Sequence, residues 1–164
     1  LPGAGKTVVG RRLAERLDVP FHDLDELIEQ RSGRTITRIF AEDGEPAFRA
    51  AERQAMADVL NGEPSVVAAG GGWAAQPGAL AEARNIGRPL IVYLWTTAET
   101  AARRVGNGEG RPLLAGNPLP ALTRLLRERD PAYRGADLTI STEGRPPAMV
   151  VEAILVGAGR SRNV

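Results

Sequence analysis

The sequence contains no cysteine and a single histidine, His22. That excludes a disulfide framework, a zinc site built from Cys or His, and any cysteine nucleophile, leaving hard, oxygen-liganded metals as the ones this chain can hold. Aromatic residues make up only 4% of it. No apolar run approaches the roughly 18 to 20 residues of a membrane helix, the longest lying at residues 89–95. Neither sign of charge dominates, with 21 Lys and Arg against 20 Asp and Glu, so no global field would steer nucleic acid or an anionic membrane toward it. No targeting or anchor pattern is visible either, and a cytoplasmic protein without nucleic-acid or membrane partners is expected. Lysine is almost missing: Lys6 is the only one, and every other cationic residue is arginine. A compact, flexible ammonium at that one position is a different tool from the planar guanidinium used elsewhere.

What is present is ordinary globular composition, 43% hydrophobic and 25% charged over 164 residues, which predicts one domain over 1–164. Periodicity predicts helices alternating with short apolar strands: a helix over 6–17, a strand over 20–22, helical pieces over 25–31 and 35–40, a longer helix over 45–60 and a strand over 65–69. A helix near 78–84, a strand over 90–95, a helix over 97–105, a helix over 121–129, a strand over 137–140 and a helix over 147–155 complete the series. The stretch 106–120 is dense in Gly and Pro and reads as a loop or lid. The polar tail from residue 157 is expected to fray. Alternating strands and helices imply an α/β fold with a parallel sheet covered on both faces.

Gly3, Ala4, Gly5, Lys6 and Thr7 fit the C-terminal part of the pattern G-x-x-x-x-G-K-[ST]. In such a loop glycines let backbone N–H groups point at phosphate oxygens, and the following helix adds its positive end. The lysine reaches the outer phosphates and the hydroxyl ligates magnesium. The alternative is a Gly-rich helix entry with no ligand. The pattern's first glycine would fall one residue before Leu1, and a phosphate loop ordinarily follows a buried strand. The expectation is that this strand precedes Leu1.

A GTP-dependent switch is argued against by the absence of any lysine after position 6 for an Asn-Lys-x-Asp base reader, and by the lack of an Asp-x-x-Gly element. The apolar strands near 66–69 and 90–95 do not end in the Asp that motor and transporter ATPases use for magnesium. Asp23 and Asp25, at the end of the strand after the phosphate-loop helix, are the best carboxylates for the task, since strand ends line the ligand crevice of a parallel sheet. Of these two carboxylates, one would hold magnesium water and the other a substrate hydroxyl. Helix capping, with Asp25 as N-cap or Asp23 paired with Glu26, is the structural alternative.

Taken in order, Gly3 to Thr7, Phe21 to Asp25, Ile28 to Gly33, Ile39 and Phe40, Gly44 to Arg49 with Glu52, Gly70 to Gly72, Val92 to Leu94, Arg111 to Leu114, and Tyr133 with Arg134 resemble the shikimate kinase family nearly end to end. The resemblance implies a P-loop kinase three-layer sandwich with a five-stranded parallel sheet in the order 2-3-1-4-5, its first strand missing here. It also implies a substrate-binding helical region at about 24–60 and a lid at about 106–120. The implied activity is ATP-dependent phosphorylation of the shikimate 3-hydroxyl, a step toward chorismate and the aromatic amino acids, by a monomer using ATP and Mg2+. By the same resemblance Gly3, Ala4, Gly5, Lys6, Thr7 and Val8 would hold ATP phosphates, with Arg104 and Pro147 at the adenine and Arg111 reaching the phosphates from the lid. Thr7 and Asp23 would hold the metal. Asp25 would be the base, and Lys6, Asp25 and Arg111 the catalytic groups. Arg49 and Arg134 would grip the shikimate carboxylate as planar forks, Gly70, Gly71 and Gly72 would bring backbone close to the substrate, and Phe40 and Phe48 would wall the pocket or fill the core. Ser141 stands where many relatives carry Asp. A gluconate- or nucleotide-type kinase and a catalytically silent nucleotide-binding regulator are the alternatives.

Overall fold

The computed structural model describes residues 1–106 and 117–161, and the chain divides into two compact units, Gly10–Pro89 and Leu1–Val9 with Leu90–Val164. Helix α1 (Lys6–Leu17) begins in the second of these and continues in the first. Among the described residues no helix is long and apolar enough to cross a membrane.

In the unit Gly10–Pro89, strands β1 (Phe21–Asp23) and β2 (Val66–Ala68) pair in parallel, Asp23 opposite Ala68. Between them run α2 (Leu24–Ser32), α3 (Ile36–Glu42) and α4 (Gly44–Leu60). Their boundaries follow from local chemistry. The Asp23 carboxylate caps α2 by accepting from the Asp25 amide at 3.1 Å, Gly33 ends it in the left-handed conformation, and the Thr35 hydroxyl caps α3. Leu24, Ile28, Ile39, Phe48, Met56 and Trp73 form the core, with Ala79 and Ala83 of α5 (Ala79–Ile86) closing it. Gly10 lets α1 lie against β1: a Cβ there would come within 2.6 Å of the Phe21 ring.

In the other unit, β3 (Val92–Trp95) and β4 (Leu138–Ser141) pair in parallel, and the helices are α6 (Ala98–Val105), α7 (Leu119–Tyr133) and α8 (Pro147–Ser161). Ala101, Leu122, Val150, Val151 and Ile154 are buried, and Gly157 lets α8 approach Leu138.

Several elements differ from the sequence expectation. Strands β2 and β3 are shorter than their apolar runs, β1 and β4 are each shifted by one residue, and among the described residues the strands form two separate two-stranded parallel sheets. Asp23 and Asp25 do not lie on one extended segment, because the chain turns into helix between them. Helix α7 starts at Leu119, two residues before the expected 121; Pro120 sits in the first turn, where a missing N–H costs nothing. The helix also runs through Pro131 to Tyr133, and α8 continues to Ser161 where fraying was expected. The 3-10 turn Trp73–Ala75 had no signal beyond the glycines before it. Residues 107–116 of the expected lid, Arg111 among them, lie outside the described residues.

Candidate functional site

The phosphate-loop residues lie in the unit Leu1–Val9 with Leu90–Val164. Gly3 and Gly5 have φ of +79° and +89°, a conformation that favours glycine. At Gly3 space imposes the same choice, since a Cβ would sit 2.6 Å from the Ala101 carbonyl oxygen. Ala4 is buried and Val8 exposed, so of these two side chains one packs inward and the other faces solvent. Helix α1 begins at Lys6, whose Nζ donates to the Leu1 carbonyl at 3.2 Å and so curls back over the loop. Thr7 lies in the first turn, half-buried.

Arg104, on α6, ties this loop to the segment after β4. Its Nη1 donates to the Gly3 carbonyl at 3.3 Å and to the Thr142 hydroxyl at 2.9 Å, and its Nη2 to the Thr142 carbonyl at 2.8 Å. The next residue, Glu143, accepts from the Thr96 hydroxyl, the Thr97 amide at 2.9 Å and the Thr100 hydroxyl at 2.8 Å. The Thr96 hydroxyl, aided by the Thr97 and Thr100 donors and by Arg104, holds the Glu143 carboxyl at about 2 against the opposing effect of burial. Pro147 opens α8 just beyond. Arg134 closes α7, and its Nε donates to Asp130 at 2.6 Å.

The residues expected at the acceptor, Arg134 apart, lie in the unit Gly10–Pro89. Arg49, on α4, donates from Nη1 to Glu52 Oε2 at 2.7 Å and from Nε and Nη2 to Glu45 Oε1 at 3.2 and 3.1 Å. Its guanidinium lies 5.2 Å from the centroid of the Phe48 ring. Phe48 is core, whereas Phe40, 4.7 Å from it between centroids, is 37% exposed. Glu52 is completely buried; Gln76 Nε2 donates to its Oε2 at 2.8 Å, while Oε1 has no hydrogen-bond partner among the described residues. Burial pushes the Glu52 carboxyl up and the Asp25 charge adds to this, with Arg49 and Gln76 opposing. The glycines after β2 fit against these groups. A Cβ on Gly70 would come within 2.8 Å of Glu52 Oε1 and 3.1 Å of Asp25 Oδ1, and one on Gly72 within 2.6 Å of Arg49 Nη2. Gly71 lies between them on the same turn.

Thus Asp25, Arg49, Gly70 and Gly72 gather in one unit, with Asp23 one residue before α2, while Gly3 to Thr7, Arg104, Arg134 and Pro147 belong to the other. The polar groups packed against Gly70 include the observation that points to a ligand: a fully buried Glu52 carboxylate oxygen has no hydrogen-bond partner among the described residues and lies, with Asp25, against Gly70. Sequence reasoning missed Gln76, Thr142, Glu143, Tyr93 and Asp130. Only Asp130 left a signal, four residues before Arg134 on one helix face. The Thr7 hydroxyl and the Asp23 carboxylate are hard oxygen donors, and among the described residues no cluster of three or more His, Cys, Asp or Glu could cage an ion. Each is a donor type that hard divalent cations accept.

The sequence matches the family model for shikimate kinase over residues 2–157. It is 49% identical to the shikimate kinase of Thermobifida fusca (strain YX) over 93% of this chain and 88% of that one, and 45% identical to that of Salinispora arenicola (strain CNS-205) over 94% and 93%. The fold is similar to that of the shikimate kinase from Acinetobacter baumannii in complex with shikimate, with a TM-score of 0.84 at 39% identity, covering 94% of this chain and 86% of that one.

Proposed function

The chain belongs to the shikimate kinase family, and from that membership we propose that it transfers the γ-phosphoryl group of ATP to the 3-hydroxyl of shikimate, giving ADP and shikimate 3-phosphate. The observation that carries the reading is the group around Gly70 and Gly72, where Asp25, Glu52 and Arg49 meet glycines that leave no room for a side chain. A base and a carboxylate-binding fork beside closely approaching glycine backbone are what a small hydroxy acid requires.

In this reading the Asp25 carboxylate accepts the 3-hydroxyl hydrogen bond and takes its proton as the oxygen–phosphorus bond forms and the bridging bond to ADP breaks. Arg49 and Arg134 bind the shikimate carboxylate through paired N–H donors. The backbone of Gly70, Gly71 and Gly72 approaches the ring, and Phe48 with Phe40 forms a wall. The loop amides of Gly3, Ala4, Gly5 and Val8 receive phosphates, Lys6 follows the transferring group, and Arg104 and Pro147 border the adenine. Arg111, in the lid, adds a further positive charge. Thr7, and Asp23 through water, would hold Mg2+, which when bound supplies charge neutralisation on the phosphates. Phosphoryl transfer asks the protein mainly for placement and electrostatic stabilisation, and these residues supply both.

The family fold extends the reading to architecture. With a strand ahead of Leu1 as the first, β1 and β2 become the second and third and β3 and β4 the fourth and fifth. Their pairings are the outer neighbours in the order 2-3-1-4-5, which supports that order. The chain then acts as a single P-loop kinase domain with a substrate-binding region at about 24–60 and a lid at about 106–120. It works as a cytoplasmic monomer supplying aromatic biosynthesis.

The test is an ATP-dependent assay offering shikimate, gluconate and nucleoside monophosphates to the same preparation. ADP release with shikimate alone is expected. Turnover of gluconate or a nucleotide in preference to shikimate would overturn the reading, as would ATP binding with no release for any acceptor.

A further inference from the structure

Arg134 is 65% exposed at its side chain, and a surface Asp–Arg pair four residues apart does not by itself hold a guanidinium in one place. Here the pair is anchored. The Tyr93 hydroxyl, on β3, donates to Asp130 Oδ1 at 3.0 Å, while Asp130 Oδ2 accepts from Arg134 Nε at 2.6 Å. Tyr93 is buried, and its phenol needs an acceptor there. Asp130 supplies it and is thereby held in one orientation by an element other than its own helix. The Tyr93 ring also lies 5.0 Å from that of Tyr133, the buried residue just before Arg134. Order thus passes from the core outward, through Tyr93 and Asp130, to an exposed cation. Burial, together with the Asp130 hydrogen bond, pushes the phenol above its ordinary value, so it remains a donor through the neutral range.

A guanidinium can grip a carboxylate along its Nε side or across its two terminal nitrogens. Asp130 occupies Nε. We infer that Tyr93 and Asp130 are positioning residues that hold Arg134 with its terminal edge turned to the substrate carboxylate. This rests on the reading of Arg134 as a carboxylate-binding residue. A fork fixed before binding loses less side-chain freedom when the ligand arrives, which favours affinity without touching the reacting atoms.

The experiment measures steady-state constants for both substrates in Arg134→Ala, Asp130→Ala, Tyr93→Phe and the double variant Asp130→Ala/Arg134→Ala. Tyr93→Phe serves as the second probe because it removes only a hydroxyl from the core. Asp130→Ala is expected to raise the shikimate KM by roughly 5- to 10-fold and Tyr93→Phe by about 2- to 5-fold, in line with the loss of one ordering contact. KM for ATP and kcat should stay near wild type. In the Arg134→Ala background the Asp130 substitution should add nothing. If Arg134→Ala raises the shikimate KM while Asp130→Ala and Tyr93→Phe leave it unchanged, this inference alone falls. An equal rise from Asp130→Ala with and without Arg134, or parallel rises in both Michaelis constants, would also overturn it as a general structural effect. A silent Arg134→Ala would remove the carboxylate assignment of Arg134 and this inference together.

Discussion

Replacing Gly72 with alanine adds one methyl group at a position whose backbone, with φ −95° and ψ −16°, accepts alanine without strain. The perturbation is therefore confined to what the methyl meets. It would sit 2.6, 2.7 and 2.9 Å from Nη2, Nη1 and Cζ of Arg49. Ordinary contact begins near 3.5 Å, so the guanidinium must retreat by roughly 0.8 Å. Arg49 has little freedom to do so evenly, since Glu52 holds Nη1 at 2.7 Å and Glu45 holds the other side. A shift of that size carries one of two parallel carboxylate hydrogen bonds outside the working range, and such a charged bond is worth about 1.5 to 3 kcal/mol. The shikimate KM should then rise on the order of 10- to 100-fold, while KM for ATP stays near wild type. A coupled assay titrating each substrate at saturation of the other reads both constants, and the unfolding temperature confirms that the variant is folded. A folded Gly72→Ala enzyme with an unchanged shikimate KM would refute the placement of Arg49 against the acceptor.

The neighbouring substitution should behave differently. A methyl on Gly70 meets Glu52 Oε1 and Asp25 Oδ1 instead, so Gly70→Ala should lower kcat by about 10-fold or more, a loss consistent with a misplaced base, and an unchanged kcat would count against Asp25. Lys6→Met should reduce kcat on the order of 100-fold through loss of one oriented charge, with folding unaffected in a thermal melt. The Glu143 carboxyl is held at about 2, below its ordinary 4.5, so its stabilising contacts are complete above about pH 4.5 and are lost as the pH falls toward 2. Glu143→Gln should cost about 1 to 3 kcal/mol near neutral pH and flatten that acid limb in urea titrations between pH 2 and 5; an acid limb identical to wild type would contradict the Thr96 and Thr100 contacts.

Much of the architecture was legible because helix ends carry local chemistry. The extent of α1 follows from the phosphate loop before it, and Gly33 and Thr35 mark their breaks as short-range signals should. Which face a helix buries was less legible: Val8 and Leu17 fit the helical period, yet both are half exposed and the packed face runs through Val9, Gly10 and Ala14. At the site, Arg49 stands three residues before Glu52, a spacing at which a helix pairs opposite charges. That Glu52 is completely buried depends on Gln76 and Gly70, which come from a segment more than fifteen residues away and leave no mark near Glu52. Glu143 was invisible for the same reason, since its donors sit on another strand end and helix start. Asp23 was read as a ligand or a cap, and the structure shows the capping hydrogen bond.

The most direct test is the rate of shikimate 3-phosphate formation from ATP and shikimate by the wild-type chain and by Asp25→Asn, an isosteric change that removes the base and keeps the shape. The account predicts phosphorylation at the 3-hydroxyl by the wild type and a fall in kcat on the order of 100-fold or more in the variant, with both unfolding alike on heating. Near-normal turnover by folded Asp25→Asn, or no product from the wild type, would contradict it.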